Sequence, residues 1–123
     1  MLHNTIQKAD ADIKYIQNKM EDRKIEMASG ITQKKSTLLI KKEQVLSSRK
    51  SLDSWQKIHD IKKENLKKGT ESVDNYIQSF RSLRNTMEES LHHENKYMDA
   101  IRDFEYICGV YFQYVDIEAY KEM

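Results

Sequence analysis

From the N-terminus, Leu2, Ile6, Ala9, Ile13, Ile16 and Met20 follow one another in alternating steps of four and three. Such steps keep side chains on one helical stripe, so the spacing predicts an amphipathic helix starting at residue 2. Met27 prolongs the stripe, with Arg23 between, and the chain then meets Ala28, Ser29 and Gly30. Ile31 stands four residues beyond Met27, a slip of register that either a stutter in one long helix or a turn would produce. Gly30, flanked by Ser29 and Thr32, favours the turn.

A single heptad register runs from Ile31 to the C-terminus. With Ile31 at position a, the later a positions include Leu38, Val45, Leu52, His59, Leu66, Val73, Phe80, Met87, Glu94, Ile101, Cys108 and Val115. Up to residue 65 the d positions are Lys34, Lys41, Ser48, Trp55 and Lys62, which leaves a thin apolar seam. From Leu66 to Val115, twelve of fifteen a and d sites are apolar or aromatic, among them Tyr76, Leu83, Tyr97, Phe104 and Tyr111 at d. Ile77, Leu91, Met98 and Phe112 widen that stripe at e, to the breadth of a helix packed against two neighbours. Fifty residues of helix extend roughly 75 Å, too long for a compact globule of this chain length.

The expected fold is therefore all-α: an elongated helical hairpin, or an antiparallel coiled-coil-like bundle of two to three long helices, forming one domain over 1–123. Two divisions compete. Helices over 2–28, 31–67 and 70–120 would turn at Gly30 and at Gly69, with Gly69 as a C-cap and Thr70 as the next N-cap. Alternatively, a hairpin would turn near 47–54, where serines precede Asp53 and Gln56 in a capping-box spacing that could start a helix at Trp55.

Composition narrows the class without changing it. In 123 residues there is no proline and there are three glycines, too little turn chemistry for a β-sandwich or barrel. Leu, Ile, Val and Phe make up 22% of the chain and the net charge is +1, which disfavours disorder. No apolar run approaches the ~20 residues of a transmembrane segment, and the N-terminus lacks a signal core. A lone Cys108 forms no internal disulfide and suits a reducing compartment. The expected location is cytoplasmic or otherwise intracellular, with secretion without a cleavable signal left open.

Charge is near zero in sum and uneven in distribution. Residues 1–30 carry five basic and five acidic groups, 31–68 eleven and four, and 69–123 five and eleven, giving 0, +7 and −6. The basic middle holds Lys34, Lys35, Lys41, Lys42, Lys62, Lys63, Lys67 and Lys68, recurring near heptad intervals. The favoured reading lays this row antiparallel to the acidic segment, where charge selects orientation more than it stabilises. An acidic partner protein is a second reading. Nucleic acid or an anionic surface is a third and disfavoured one, because only Trp55 interleaves the lysines with an aromatic ring.

Chemistry-bearing constellations are few. Glu89 and His92 have the i, i+3 spacing of di-iron helical bundles, but no second Glu-x-x-His accompanies them. Exposed i, i+4 pairs, Glu88 with His92 and Glu89 with His93, account for these residues more simply. Glu94 at an a position points to a register marker or to a partner's cation. Cys108 follows Ile107 inside an apolar stripe and reads as a small buried hydrophobe. With no phosphate loop and no nucleophile signature, the chain is expected to be non-enzymatic, with no metal, cofactor or small-molecule substrate.

The C-terminal run is richer. Phe104, Tyr106, Tyr111, Phe112, Tyr114 and Tyr120 place six of the eleven aromatics within seventeen residues, on more than one helical face. They form either a local core clasped by the N-terminal helix or a partner-binding surface. Trp55, alone in a lysine-rich segment, is either the anchor of a turn or an interface hot spot.

A hairpin of this length with Trp55 near a bend, and Tyr114 followed four residues later by Glu118, resembles the small helical substrates and targeting partners of type VII secretion. The resemblance implies a helical hairpin that pairs with a secreted protein. The family's Trp-x-Gly bend is replaced here by Trp55-Gln56-Lys57.

The expected function is that of a non-enzymatic helical interaction protein, a subunit or an adaptor/chaperone. It would pack Trp55, Val73, Tyr76, Phe80, Leu83, Met87, Tyr97, Ile101, Phe104, Tyr111 and Phe112 against helices of a partner or of another copy in a homo-oligomer. The alternatives are a partner or targeting factor of a type VII-like secreted protein, and a basic-stripe binder of nucleic acid or anionic surfaces.

Overall fold

The computed structural model describes the backbone of residues 1–122 and the side chains through Ile117. It consists of two helices packed against each other as a hairpin, α1 over Leu2–Lys67 and α2 over Val73–Glu122, with no strand among the described residues. Of the possible turns, only the one at Gly69 forms.

That turn is built by the backbone. Gly69 takes φ +76°, the left-handed conformation that costs an L-residue roughly 1–2 kcal/mol. The Thr70 N–H then donates to the Asn65 carbonyl at 2.9 Å and the Gly69 N–H to the Leu66 carbonyl at 3.1 Å, the paired bonds of a Schellman motif. Thr70 does not cap α2 as the spacing suggested, because its hydroxyl also donates to the Asn65 carbonyl, at 3.1 Å. Ser72 is the cap, its Oγ accepting from the Asn75 N–H at 3.1 Å, and Asp74 in the first turn complements the helix dipole.

The turn expected over 28–32 is absent, and α1 runs through it. The Thr32 hydroxyl bonds back to the Ala28 carbonyl at 3.1 Å, and Gly30 serves a packing role. A Cβ on Gly30 would lie 2.9 Å from Ile107 Cδ1, so the glycine is a notch that admits a side chain of α2. The hairpin turn near 47–54 is absent as well. Asp53 is engaged by Lys57 at 3.3 Å and Gln56 donates to Asp60 at 3.0 Å, so neither makes the reciprocal capping bonds. Ser48 donates to the Val45 carbonyl at 3.0 Å, which lets a serine lie buried inside a helix. Trp55 consequently sits in the interior of α1, twelve residues before its end, and anchors no turn.

The contacts gather into two compact units, residues 36–102 and residues 1–35 with 103–123. In the first, α1 contributes an a/d seam of Leu38, Lys41, Val45, Ser48, Leu52, Trp55, His59, Lys62 and Leu66, all buried or half-buried. The facing seam of α2 is displaced from the expected one. Its covered residues are Tyr76, Leu83, Ser90 and Tyr97 at d with Ser79, Thr86, His93 and Ala100 at g, while Val73, Phe80 and Met87 at a are turned outward. Small residues at g let the backbones approach, and their hydroxyls are satisfied within their own helix: Ser79 donates to the Tyr76 carbonyl at 2.7 Å and Thr86 to the Ser82 carbonyl at 2.8 Å. No buried side-chain polar atom among the described residues lacks a partner.

In the second unit, Met20, Lys24, Met27, Gly30 and Ile31 of α1 are half-buried, as are Phe104, Ile107, Cys108, Val110, Tyr111, Tyr114 and Val115 of α2. The Tyr114 hydroxyl donates to the Met20 carbonyl at 3.1 Å. Part of the C-terminal aromatic run is thus clasped by the N-terminal helix. Tyr106 and Phe112 stay exposed, and the side chains of Glu118 and Tyr120 lie outside the described residues.

A candidate partner-binding surface

The outward turn of the α2 a positions creates a second stripe. Val73, Ile77, Phe80, Met87, Leu91 and Met98 follow in steps of 4, 3, 7, 4 and 7, which keeps them on one face of the helix. All six are exposed, from 40% for Ile77 to 60% for Val73. Arg84 and Glu94 occupy the positions between. Large apolar side chains at this density on one face are the usual mark of an interaction surface.

The residues singled out from sequence therefore divide. Val73, Phe80, Met87 and Phe112 are exposed; Trp55, Tyr76, Tyr97, Ile101, Phe104 and Tyr111 are half-buried, and Leu83 is buried. Ile77, Leu91 and Met98 complete the exposed stripe, and their signal in the sequence was the widening of the heptad at e. The two sets meet at His59. Its buried ring lies 5.1 Å from that of Tyr76, on the covered side, and 5.9 Å from that of Phe80, on the exposed side.

The basic row divides similarly. Lys34 pairs with Asp103 at 3.8 Å and Lys67 with Glu64 at 3.5 Å, while Lys41 and Lys62 are half-buried along the seam. Lys35, Lys42, Lys63 and Lys68 are exposed. Arg49 reaches Glu94 at 3.4 Å, answering the acidic residue at an a position with a cation of the same chain. Because Glu94 belongs to the exposed stripe, this pair places Arg49 along one edge of it, and Lys42 and Lys63 share the heptad position of Arg49 on α1. Among the described residues Lys34–Asp103 and Arg49–Glu94 join the two helices, whereas the pairs Lys57–Asp53, Lys67–Glu64, Arg84–Glu88, His93–Glu89 and Arg102–Asp99 join neighbours on one helix.

The Glu88 to Glu94 segment shows ordinary helical pairing. Glu89 approaches His93 at 3.9 Å, whereas Glu88 is taken by Arg84 at 4.0 Å instead of His92. Among the described residues no group of three or more His, Cys, Asp or Glu side chains could hold a metal ion, and no helix is long and apolar enough to cross a membrane. Cys108 is unpaired and half-buried. Compared with protein-family models, curated proteins and solved structures, the chain matches none.

Proposed function

We propose that this is a non-enzymatic helical interaction protein, a subunit or adaptor that packs the outer face of α2 against a helix of a partner protein. One observation carries the reading. Of the apolar side chains that would make a good core, Leu91 is 59% exposed and Phe80, which meets α1 only beside the His59 ring, stays 51% exposed, while Ser79, Thr86 and Ser90 occupy the contact. Burying an exposed side chain of this kind contributes roughly 1.5–3 kcal/mol at full burial, so a partner helix covering several of them gains a substantial driving force. The exposed Lys42 and Lys63, at the heptad position of Arg49, favour a partner helix with acidic flanks, through orientation and encounter rate more than affinity. A nucleic-acid role has less support, since Lys41 and Lys62 lie along the seam and Lys34 is paired.

The test is site-specific photo-crosslinking in the native host, with the photoreactive residue at Met87 or Met98 and, as control, at Lys57 on α1. A discrete adduct at the first two positions that Phe80→Gln with Leu91→Gln abolishes would support the reading. Adducts absent from the stripe, or equally strong at Lys57, would overturn it.

A further inference from the structure

A different surface, at the start of α1, identifies its own occupant. The stripe Leu2, Ile6, Ala9, Ile13, Ile16, Met20 and Met27 is half covered: Met20 and Met27 are half-buried beside α2, whereas every residue from Met1 to Lys19 is exposed. Leu2 is 75% and Ile13 53% accessible, on a face whose heptad phase continues an established helix contact. At the junction lies an open groove of about 500 Å³, lined by Ile16, Met20 and Tyr114 together with the charged Lys19, Asp22, Arg23 and Glu26.

Charge decides what fits. Along this stripe the flanking positions hold His3, Asp10, Gln17 and Lys24 on one side and Thr5, Asp12, Lys19 and Glu26 on the other. In an antiparallel pair like flanks face each other. Two copies aligned about the midpoint of residues 14 and 15 set Ile13 against Ile16, Ala9 against Met20, Ile6 against Arg23 and Leu2 against Met27. That alignment also sets Asp12 against Lys19 of the other copy, twice by symmetry. Sliding the copies one heptad toward their N-termini opposes Asp10 to Asp10 and Asp12 to Asp12. Sliding them the other way opposes Lys19 to Lys19 and Asp12 to Glu26. A parallel pair sets Lys19 beside Lys24. The opposite-charge register is also the one that brings Ile6 and Ala9 of the second copy to the groove beside Tyr114, with the Arg23 stem covering Ile6.

We infer that residues 2–27 of α1 are a self-association surface, on which a second copy of this chain pairs antiparallel through its own N-terminal stripe. The residues of this face are distinct from those of the α2 stripe.

Light scattering coupled to size exclusion, run on the full chain across a concentration series, tests this. The expected mass is twice the 14.7 kDa of one chain, falling to 14.7 kDa for Ile6→Asp with Ile13→Asp at unchanged helical circular dichroism. Asp12→Lys alone and Lys19→Asp alone should each weaken the dimer about tenfold or more, and the double exchange should restore it, because the cross-copy pairs re-form with signs reversed. Phe80→Gln with Leu91→Gln should leave the mass unchanged, which separates this surface from the proposed partner face. A monomer at every concentration, a dimer indifferent to Ile6→Asp with Ile13→Asp, or a double exchange no better than the single changes would overturn the inference.

Discussion

His59 Nδ1 lies 3.2 Å from Ser79 Oγ, and the Ser79 hydroxyl is itself given to the Tyr76 carbonyl at 2.7 Å. With its proton committed there, Ser79 Oγ accepts, and His59 donates from Nδ1. This bond ties α1 to α2 in the polar part of the seam, where both partners are buried. Ser79→Ala removes the acceptor and leaves a buried N–H without a partner, an expected loss of about 1–3 kcal/mol in urea or thermal unfolding. Adding His59→Leu to Ser79→Ala should recover part of that loss, because both ends of the bond are then gone. A double variant less stable than Ser79→Ala alone would contradict this account.

The two glycines at the expected turns should respond with opposite signs. Gly69→Ala forces an L-residue to φ +76° and is expected to cost about 1–2 kcal/mol, although nothing crowds its Cβ. Gly30→Ala sits in an uninterrupted helix, where alanine is favoured by about 1 kcal/mol. Its new Cβ meets only the terminal Cδ1 of Ile107, at 2.9 Å, and that methyl can rotate away for less than the propensity gain. Unfolding midpoints should therefore fall for Gly69→Ala and hold or rise for Gly30→Ala.

Comparing these two positions shows what could be read from the chain in advance. The helical class, the turn at Gly69 and the α1 register from Ile31 follow from local spacing and backbone preference, which a sequence displays. Gly30 could not be told from Gly69 by its neighbours, since its role is set by Ile107, more than seventy residues away. The face of α2 that meets α1 was hidden for a similar reason. Its a, d and e positions are all rich in apolar groups, and the g positions that make the contact are Ser79, Thr86, His93 and Ala100, which read as polar or featureless until their hydroxyls are seen bonded inside the helix. The lysine and acidic rows were visible, but their pairing was not: Arg49 and Lys34 reach acidic partners across the seam, while Lys41 and Lys62 lie half-buried within it.

Those two pairs are accessible to solvent, with side-chain exposures of 61% and 39% for Arg49 and Glu94. Exposed ion pairs contribute about 0–1 kcal/mol, so Glu94→Gln should change the unfolding free energy by less than about 1 kcal/mol. The effect should shrink further as salt rises from 0.05 to 0.5 M. A loss above about 2 kcal/mol would mean that the pair is shielded from water.

The register of α2 makes the sharpest contrast between two leucines of one helix. Leu83 is 7% exposed and faces α1, whereas Leu91, two turns on, is 59% exposed on the outer stripe. Truncating a buried leucine removes its transfer free energy and leaves a cavity, so Leu83→Ala should cost about 2–4 kcal/mol. Leu91→Ala removes a side chain already largely in water and should cost under about 1 kcal/mol in the isolated chain. The same ordering should hold for Tyr76 at d against Val73 at a. If instead the helix buried its a and e face, as the density of large apolar groups there suggests, the ranking would invert, with Leu91→Ala and Val73→Ala the damaging changes. Equilibrium urea unfolding of the two leucine variants at micromolar concentration distinguishes the two registers directly. Adding a binding partner should then raise the cost of Leu91→Ala alone, because only in the complex does that side chain leave water.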